Sequence, residues 1–90
     1  MRVTWDTNKA EINFKKHGIR FSDAEMVLYD SFAMTLEEHI VLNEQRYVTV
    51  GSDAVGRIIT VVYSYRKDTI RLISARKATP KERKQYEEGI

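Results

Sequence analysis

Ninety residues with no cysteine, one tryptophan and 42% hydrophobic content describe a single small domain, 1–90, with a modest core; disulfides and thiolate metal sites are excluded. No apolar run approaches the roughly 20 residues of a membrane helix, and the first residues carry no signal-peptide pattern, so a cytoplasmic protein with no membrane partner is expected. Net charge is only +2, yet residues 1–56 hold six Lys/Arg against nine Asp/Glu, residues 57–84 hold nine against two, and residues 85–90 hold two Glu alone. Solubility does not require such segregation, and a positive segment in a near-neutral chain suits a nucleic-acid binder.

Arg2–Trp5 reads as a short edge strand. Asp6 then caps a helix that Gly18 ends, with Ala10, Asn13, Phe14 and His17 on one face. A second helix is expected from Ser22 to about Asp30. Its capping box would be S-D-A-E, closed by Glu25, and Phe21 and Met26 are spaced as a hydrophobic staple. Met26, Val27 and Tyr29 would turn to the core.

From Ala33 the pattern becomes β. Ala33–Leu36 is a possible short strand, and Glu37–Glu44 has no clear period. Arg46–Gly51 alternates, with Val48 and Val50 on one side and Tyr47 and Thr49 on the other. Ser52–Gly56 is a turn. Arg57–Arg66 is rich in β-branched and aromatic residues and reads as a central strand. Lys67-Asp68 is a two-residue hairpin turn, and Ile70–Arg76 returns antiparallel. Thr79, Pro80 and Glu82 start a last helix with a T-x-x-E capping box and proline at its first position. The fold class is α+β: a short strand, two helices, an antiparallel sheet of three or four strands and a C-terminal helix.

If Arg66 opposes Thr69, then Tyr65 opposes Ile70 and Ser64 opposes Arg71. Arg66, Ser64 and Arg71 would share a face with Val62 and Ile73. Tyr63, Leu72, Val61, Ser74 and Arg76 would share the other.

Arg66, Arg71 and Arg76 flank the last hairpin. Guanidinium groups stay charged and present forked donors to phosphate, so these three are the candidates for stabilising a phosphate under attack. His17 is the general acid–base candidate because histidine titrates near neutrality, although its place at the end of a helix, on the stripe with Phe14, favours a structural histidine. Arg57, Lys77, Lys81 and Lys84 are candidate RNA-backbone contacts. Tyr86 either stacks on a base or packs on the sheet; Trp5, beside Val3, suits the core. Neither HxH nor HExxH spacing occurs, and no P-loop, GxGxxG or GxSxG. No metal site or cofactor is expected.

Three stretches, W-D-T-N-K-A-E-I-N-F-K-K-H-G-I-R-F, R-Y-V-T-V-G and R-L-I-S-A-R-K-A-T-P-K-E-R-K-Q-Y, resemble the BrnT toxins almost from end to end. The motif positions are Trp5, Asp6, Lys9, Lys16, His17, Gly18, Arg71, Ser74, Arg76, Glu82, Arg83 and Tyr86. The resemblance implies a RelE-like fold and a ribonuclease toxin of a bacterial type II toxin–antitoxin system that inhibits translation. It also implies a BrnA-like ribbon-helix-helix antitoxin in a hetero-oligomer, with operator DNA bound only through that antitoxin. The chemistry implied is metal-independent attack of a ribose 2′-hydroxyl on the adjacent phosphate, on RNA that is free or held on the ribosome. A non-catalytic RNA-binding module, using the basic hairpin alone, is the competing reading.

Overall fold

The computed structural model describes residues 1–89. Its elements run β1 (Arg2–Thr4), α1 (Thr7–His17), α2 (Phe21–Val27), β2 (Met34–Val41), β3 (Glu44–Ser52), β4 (Ile58–Arg66), β5 (Thr69–Lys77) and α3 (Pro80–Glu88). The five strands form one sheet in the order β1-β5-β4-β3-β2. β1 lies parallel to β5 and all other neighbours are antiparallel. The α+β class and the central place of β4 are as expected.

Local chemistry sets the ends of α1. The Asp6 carboxylate accepts from the Asn8 and Lys9 amides, and Gly18 closes the helix at φ 72° with its amide on the Phe14 carbonyl. That left-handed backbone is strained for any residue with a side chain. Lys15, Lys16 and His17 fill the last turn, where positive charge favours the helix dipole.

α2 departs from expectation. It starts at Phe21 behind Arg20, with no side-chain cap, and ends at Val27. The Ser22–Glu25 capping box does not form. Phe21 is only 2% exposed, and sinking its ring into the core moves the N-cap from Ser22 back to Arg20. Tertiary packing outweighs a cap worth about 1 kcal/mol. Met26 and Tyr29 face outward, not inward. Asp30 lies past the helix and accepts from the Phe32 and Ser52 amides instead.

The polar stretch after Ala33 is one full edge strand, β2. It turns through Leu42 and Asn43, both at positive φ, into β3, as a two-residue hairpin needs. Ile19, Phe21, Ala24 and Val27 pack against Ile59, Val61, Tyr63, Ile70, Leu72 and Ala75 on one sheet face. Where α2 ends over the sheet, a side chain at Gly51 would meet Val27 Cγ1 at 2.9 Å.

The β4–β5 register holds as expected from Arg66 opposite Thr69 to Tyr63 opposite Leu72, then slips: Val62 pairs with Ser74, not Ile73. Ile73 is therefore an extra residue, a β-bulge. Everything after it changes face. Ala75 turns to the helical side, into the core. Ser74 and Arg76 join the face that carries Arg71, which corrects the expectation that they oppose it.

α1 holds this bulge. The Asn13 amide donates to the Ala75 and Ile19 carbonyls at 2.9 and 3.1 Å, and its oxygen accepts from the Ala75 amide at 3.0 Å. β1 accompanies β5 only as far as Arg71. Beyond that point the Asn13 side chain takes the place of the missing strand.

Candidate nucleic-acid interface

The sheet face away from α1 and α2 gathers most of the arginines. Arg46 on β3, Ser64 on β4 and Arg71 on β5 stand in one cross-strand row. Arg66 lies one step toward the hairpin on the same side as Ser64. Arg2 pairs with Thr69, and Thr4 with Arg71, at the β1 edge. The bulge adds Ser74 and Arg76 along β5. Val62 and Val48 floor the middle.

One carboxylate sits among these cations. Glu44 Oε1 lies 3.4 Å from Arg46 Nε and Glu44 Oε2 lies 3.6 Å from an Arg66 terminal nitrogen. Partial burial raises the Glu44 pKa, but Arg46, the Ser64 hydroxyl and Arg66 together bring it below the ordinary value of 4.5. Glu44 is ionised at neutral pH. Ser64 itself is fully buried, and its hydroxyl makes no well-formed hydrogen bond. Arg71 donates to no side chain among the described residues; its charge acts on Asp6, whose pKa is lowered chiefly by the Lys9 amide and also by Lys9 and Arg71.

α3 crosses the other end of this face. Its capping box forms as expected, Thr79 Oγ1 with the Glu82 amide and Glu82 with the Thr79 amide. Glu82 does more than cap. It receives both terminal nitrogens of Arg76, at 2.7 and 3.0 Å, and the Thr60 hydroxyl at 2.9 Å. With Arg76 as the main cause, its pKa falls from 4.5 to about 2. Arg76 is thus anchored to α3 while remaining on the arginine face.

The expected site residues divide. Arg66, Arg71 and Arg76 lie on one face, with Arg76 opposite Thr60, four β4 positions from the Ser64 that pairs with Arg71. His17 ends α1 on a cleft that also touches Ser74, beside the face. Arg57 sits at the opposite end of β4 from Arg66, bound to Asp53 at 2.7 Å and Asp23 at 3.1 Å, and it braces the Ser52–Gly56 turn. Lys77 pairs with Ile59 on the helical side. Lys81 and Lys84 lie exposed on α3, with Lys84 3.9 Å from Glu88. Tyr86 is 7% exposed, and its hydroxyl donates to Asp30 at 2.6 Å, which pushes its pKa up to about 12. Its ring packs inward and offers no surface to a base, which decides the alternative left open by its sequence position.

Sequence reading missed Arg2, Arg46, Glu44 and Ser64. The alternation of Arg46 with Val48 and Val50 shows which side Arg46 takes, but only the pairing of β3 with β4 brings it beside Ser64. Among the described residues no three His, Asp or Glu side chains converge as a metal site, and no helix is long and apolar enough to cross a membrane.

A family model described as "Ribonuclease toxin, BrnT, of type II toxin-antitoxin system" matches residues 5–82. The crystal structure of the Brucella abortus ribonuclease toxin BrnT is similar to this fold at a TM-score of 0.66 and 27% sequence identity, over 88% of this chain and 97% of that one. Among curated proteins none matches. The matched residues run from Trp5 to Glu82 and so take in the α1 caps, the bulged β5 and the Arg76–Glu82 anchor; the chain belongs to the BrnT family of ribonuclease toxins of type II toxin–antitoxin systems.

Proposed function

We propose that this chain, acting as one domain in the bacterial cytoplasm, cleaves RNA on the arginine face without a metal ion and thereby inhibits translation. The observation that carries the reading is the placing of Arg46, Arg66 and Arg71 around Ser64 and Glu44, with Arg76 further along the same face of the sheet. The substrate supplies the nucleophile. Its 2′-hydroxyl loses a proton and attacks the adjacent phosphorus; the bond to the 5′-oxygen breaks, and that oxygen takes up a proton. A 2′,3′-cyclic phosphate and a 5′-hydroxyl result. The arginines offset the charge that builds on the phosphate oxygens. A guanidinium, with a pKa above about 12, moves no proton. Proton transfer therefore falls to Glu44, within the face, or to His17 beside it. A carboxylate held below its usual range is a weak base, so slow turnover of free RNA is expected.

The test is pure protein incubated with RNA in EDTA, followed by end-group analysis. Cyclic or 3′-phosphate ends are expected. Cleavage that stops in EDTA and returns with magnesium would sink the metal-free mechanism, and RNA binding with no cleavage would favour the binding-module reading. Of Glu44→Gln and His17→Gln, the variant that loses cleavage while still binding RNA identifies the proton acceptor.

The antitoxin, a BrnA-like ribbon-helix-helix protein in a hetero-oligomer that alone contacts operator DNA, is expected to lay an acidic or mixed segment over this face. Opposite charge speeds and orients such an association, and the interface should bury at least about 1,000 Å² in total. Hydrogen exchange of the complex should protect β4 and β5 near Arg66 and Arg71. Protection confined to α1 and α2, with RNA still bound, would rule out inhibition by covering the face.

A further inference from the structure

The arginine face does not stop at β5. Past Arg71 the outer edge of β5 meets α1, and between them lies a cleft of about 210 Å³ walled by Lys9, Lys16, His17, Ile73 and Ser74. The wall contains no carboxylate. Lys9 and Lys16 are seven residues apart, two turns of α1, and so occupy one side of it. Ile73 is the bulge residue, and Ser74 is the first residue that the bulge turns onto the arginine face.

Two features bear on what this cleft can bind. Some of the other cations stand near acids, Arg83 by Glu87, Lys84 by Glu88 and Arg57 between Asp23 and Asp53, while those of the cleft, like Arg71, make no such pair. Lys16 and His17 form no ion pair among the described residues, and Lys9 lies within electrostatic reach of the exposed Asp6. Like charges on Lys9 and Lys16 disfavour one another, and an anion held between them relieves that cost. The cleft is also continuous with the arginine face, because Ser74 lines the cleft and stands on that face beside Val62. Ser74 is three residues along β5 from Arg71, about 10 Å at strand spacing. That is within reach of the next phosphates of an extended RNA strand.

We propose that the α1–β5 cleft is a phosphate subsite for the RNA backbone, so that the strand leaves the arginine face over the bulge of β5 and passes along α1. The inference rests on the reading of the arginine face as the RNA site. The ligand class is a phosphodiester flanking the one that reacts, held by Lys9, Lys16 and the Ser74 hydroxyl. Ile73 keeps the floor apolar, which strengthens the charge contacts.

The adjacent lysines of α1 provide the test. Lys16 lines this cleft and Lys15 lines the separate groove by Trp5 and Phe14, so Lys16→Gln and Lys15→Gln remove the same charge from neighbouring positions. Binding of a non-cleavable 2′-O-methyl RNA decamer is measured by anisotropy over a range of salt. Losing one phosphate contact on a single strand should flatten the slope of log affinity against log salt by about 0.7. Lys16→Gln should show that loss, Lys9→Gln/Lys16→Gln at least as much, and Lys15→Gln none. If Lys15→Gln and Lys16→Gln behave alike while Arg71→Gln flattens the slope, the cleft is not a subsite and the arginine face still stands. If Arg71→Gln also leaves the slope unchanged, the RNA face itself fails and the cleft with it. Weakened antitoxin binding in Lys16→Gln with RNA binding intact would assign the cleft to the protein partner and overturn the proposal.

Discussion

Asn13→Leu should destabilise the protein by about 3–5 kcal/mol, the largest loss expected from any single α1 substitution. The side chain is 6% exposed and makes three hydrogen bonds to backbone groups of two fully buried residues, Ile19 and Ala75. Each buried group left without a partner costs about 1–3 kcal/mol. Leucine fills similar space and supplies none of these bonds. For a domain this size each kcal/mol moves the thermal midpoint by about 4–8 °C, so a drop of more than about 10 °C is expected in a melt followed by circular dichroism. Asn13→Asp is the sharper variant. It keeps an acceptor for the Ala75 amide but turns an oxygen toward two carbonyls, so it should be nearly as unstable as Asn13→Leu. An aspartate variant that melts like the parent would show that the amide donors do not matter. Because Asn13 secures β5 just past the bulge, partly folded variants should also lose the placement of Ser74 and Arg76.

This residue marks the boundary of what the sequence makes legible. The ends of α1 and the start of α3 are written locally, in Asp6, Gly18, Thr79, Pro80 and Glu82, within a few residues of the bonds they make. The β4–β5 hairpin is likewise local, and its register is readable as far as Leu72. The bulge is not. Ile73 is apolar and β-branched, and it fits a strand equally well on either face. What selects the slip is an amide 62 residues away in sequence. The start of α2 fails for a related reason, since burial of Phe21 overrides a good capping sequence at Ser22. Glu44 and Arg46 are two apart on β3 and share a side, but only the pairing of β3 with β4 brings Ser64 beside them, and no spacing along the chain announces that. The likeness to the BrnT family marks Arg71, Ser74, Arg76 and Glu82 without their roles. Geometry separates Arg71, free to meet a ligand, from Arg76, which is tied down.

That separation predicts opposite behaviour for two arginines on one face. Arg71→Ala should change stability by no more than about 1 kcal/mol, since its charge acts on the exposed Asp6 and it donates to no described side chain. Cleavage should fall by about 10²–10³-fold, the usual loss when a donor to a developing oxyanion is removed. Arg76→Ala should lower stability as well as cleavage. It strips the bidentate partner from Glu82, whose side chain is only 16% exposed, and a largely buried carboxylate left with the Thr60 hydroxyl and the Thr79 amide but no counter-charge should cost about 2–3 kcal/mol. Arg76→Ala/Glu82→Gln should recover part of that loss, because the orphaned charge is gone. The pH dependence gives an independent check. The folded pKa of Glu82 is depressed from 4.5 to about 2, so its stabilisation is complete above 4.5 and is lost as pH falls from there toward 2. Urea melts at pH 6 and pH 3 should therefore show a smaller acid loss in Arg76→Ala than in the parent, while Arg71→Ala keeps the parent's loss. Equal acid sensitivity in all three proteins would mean that the Arg76–Glu82 pair does not carry this stability.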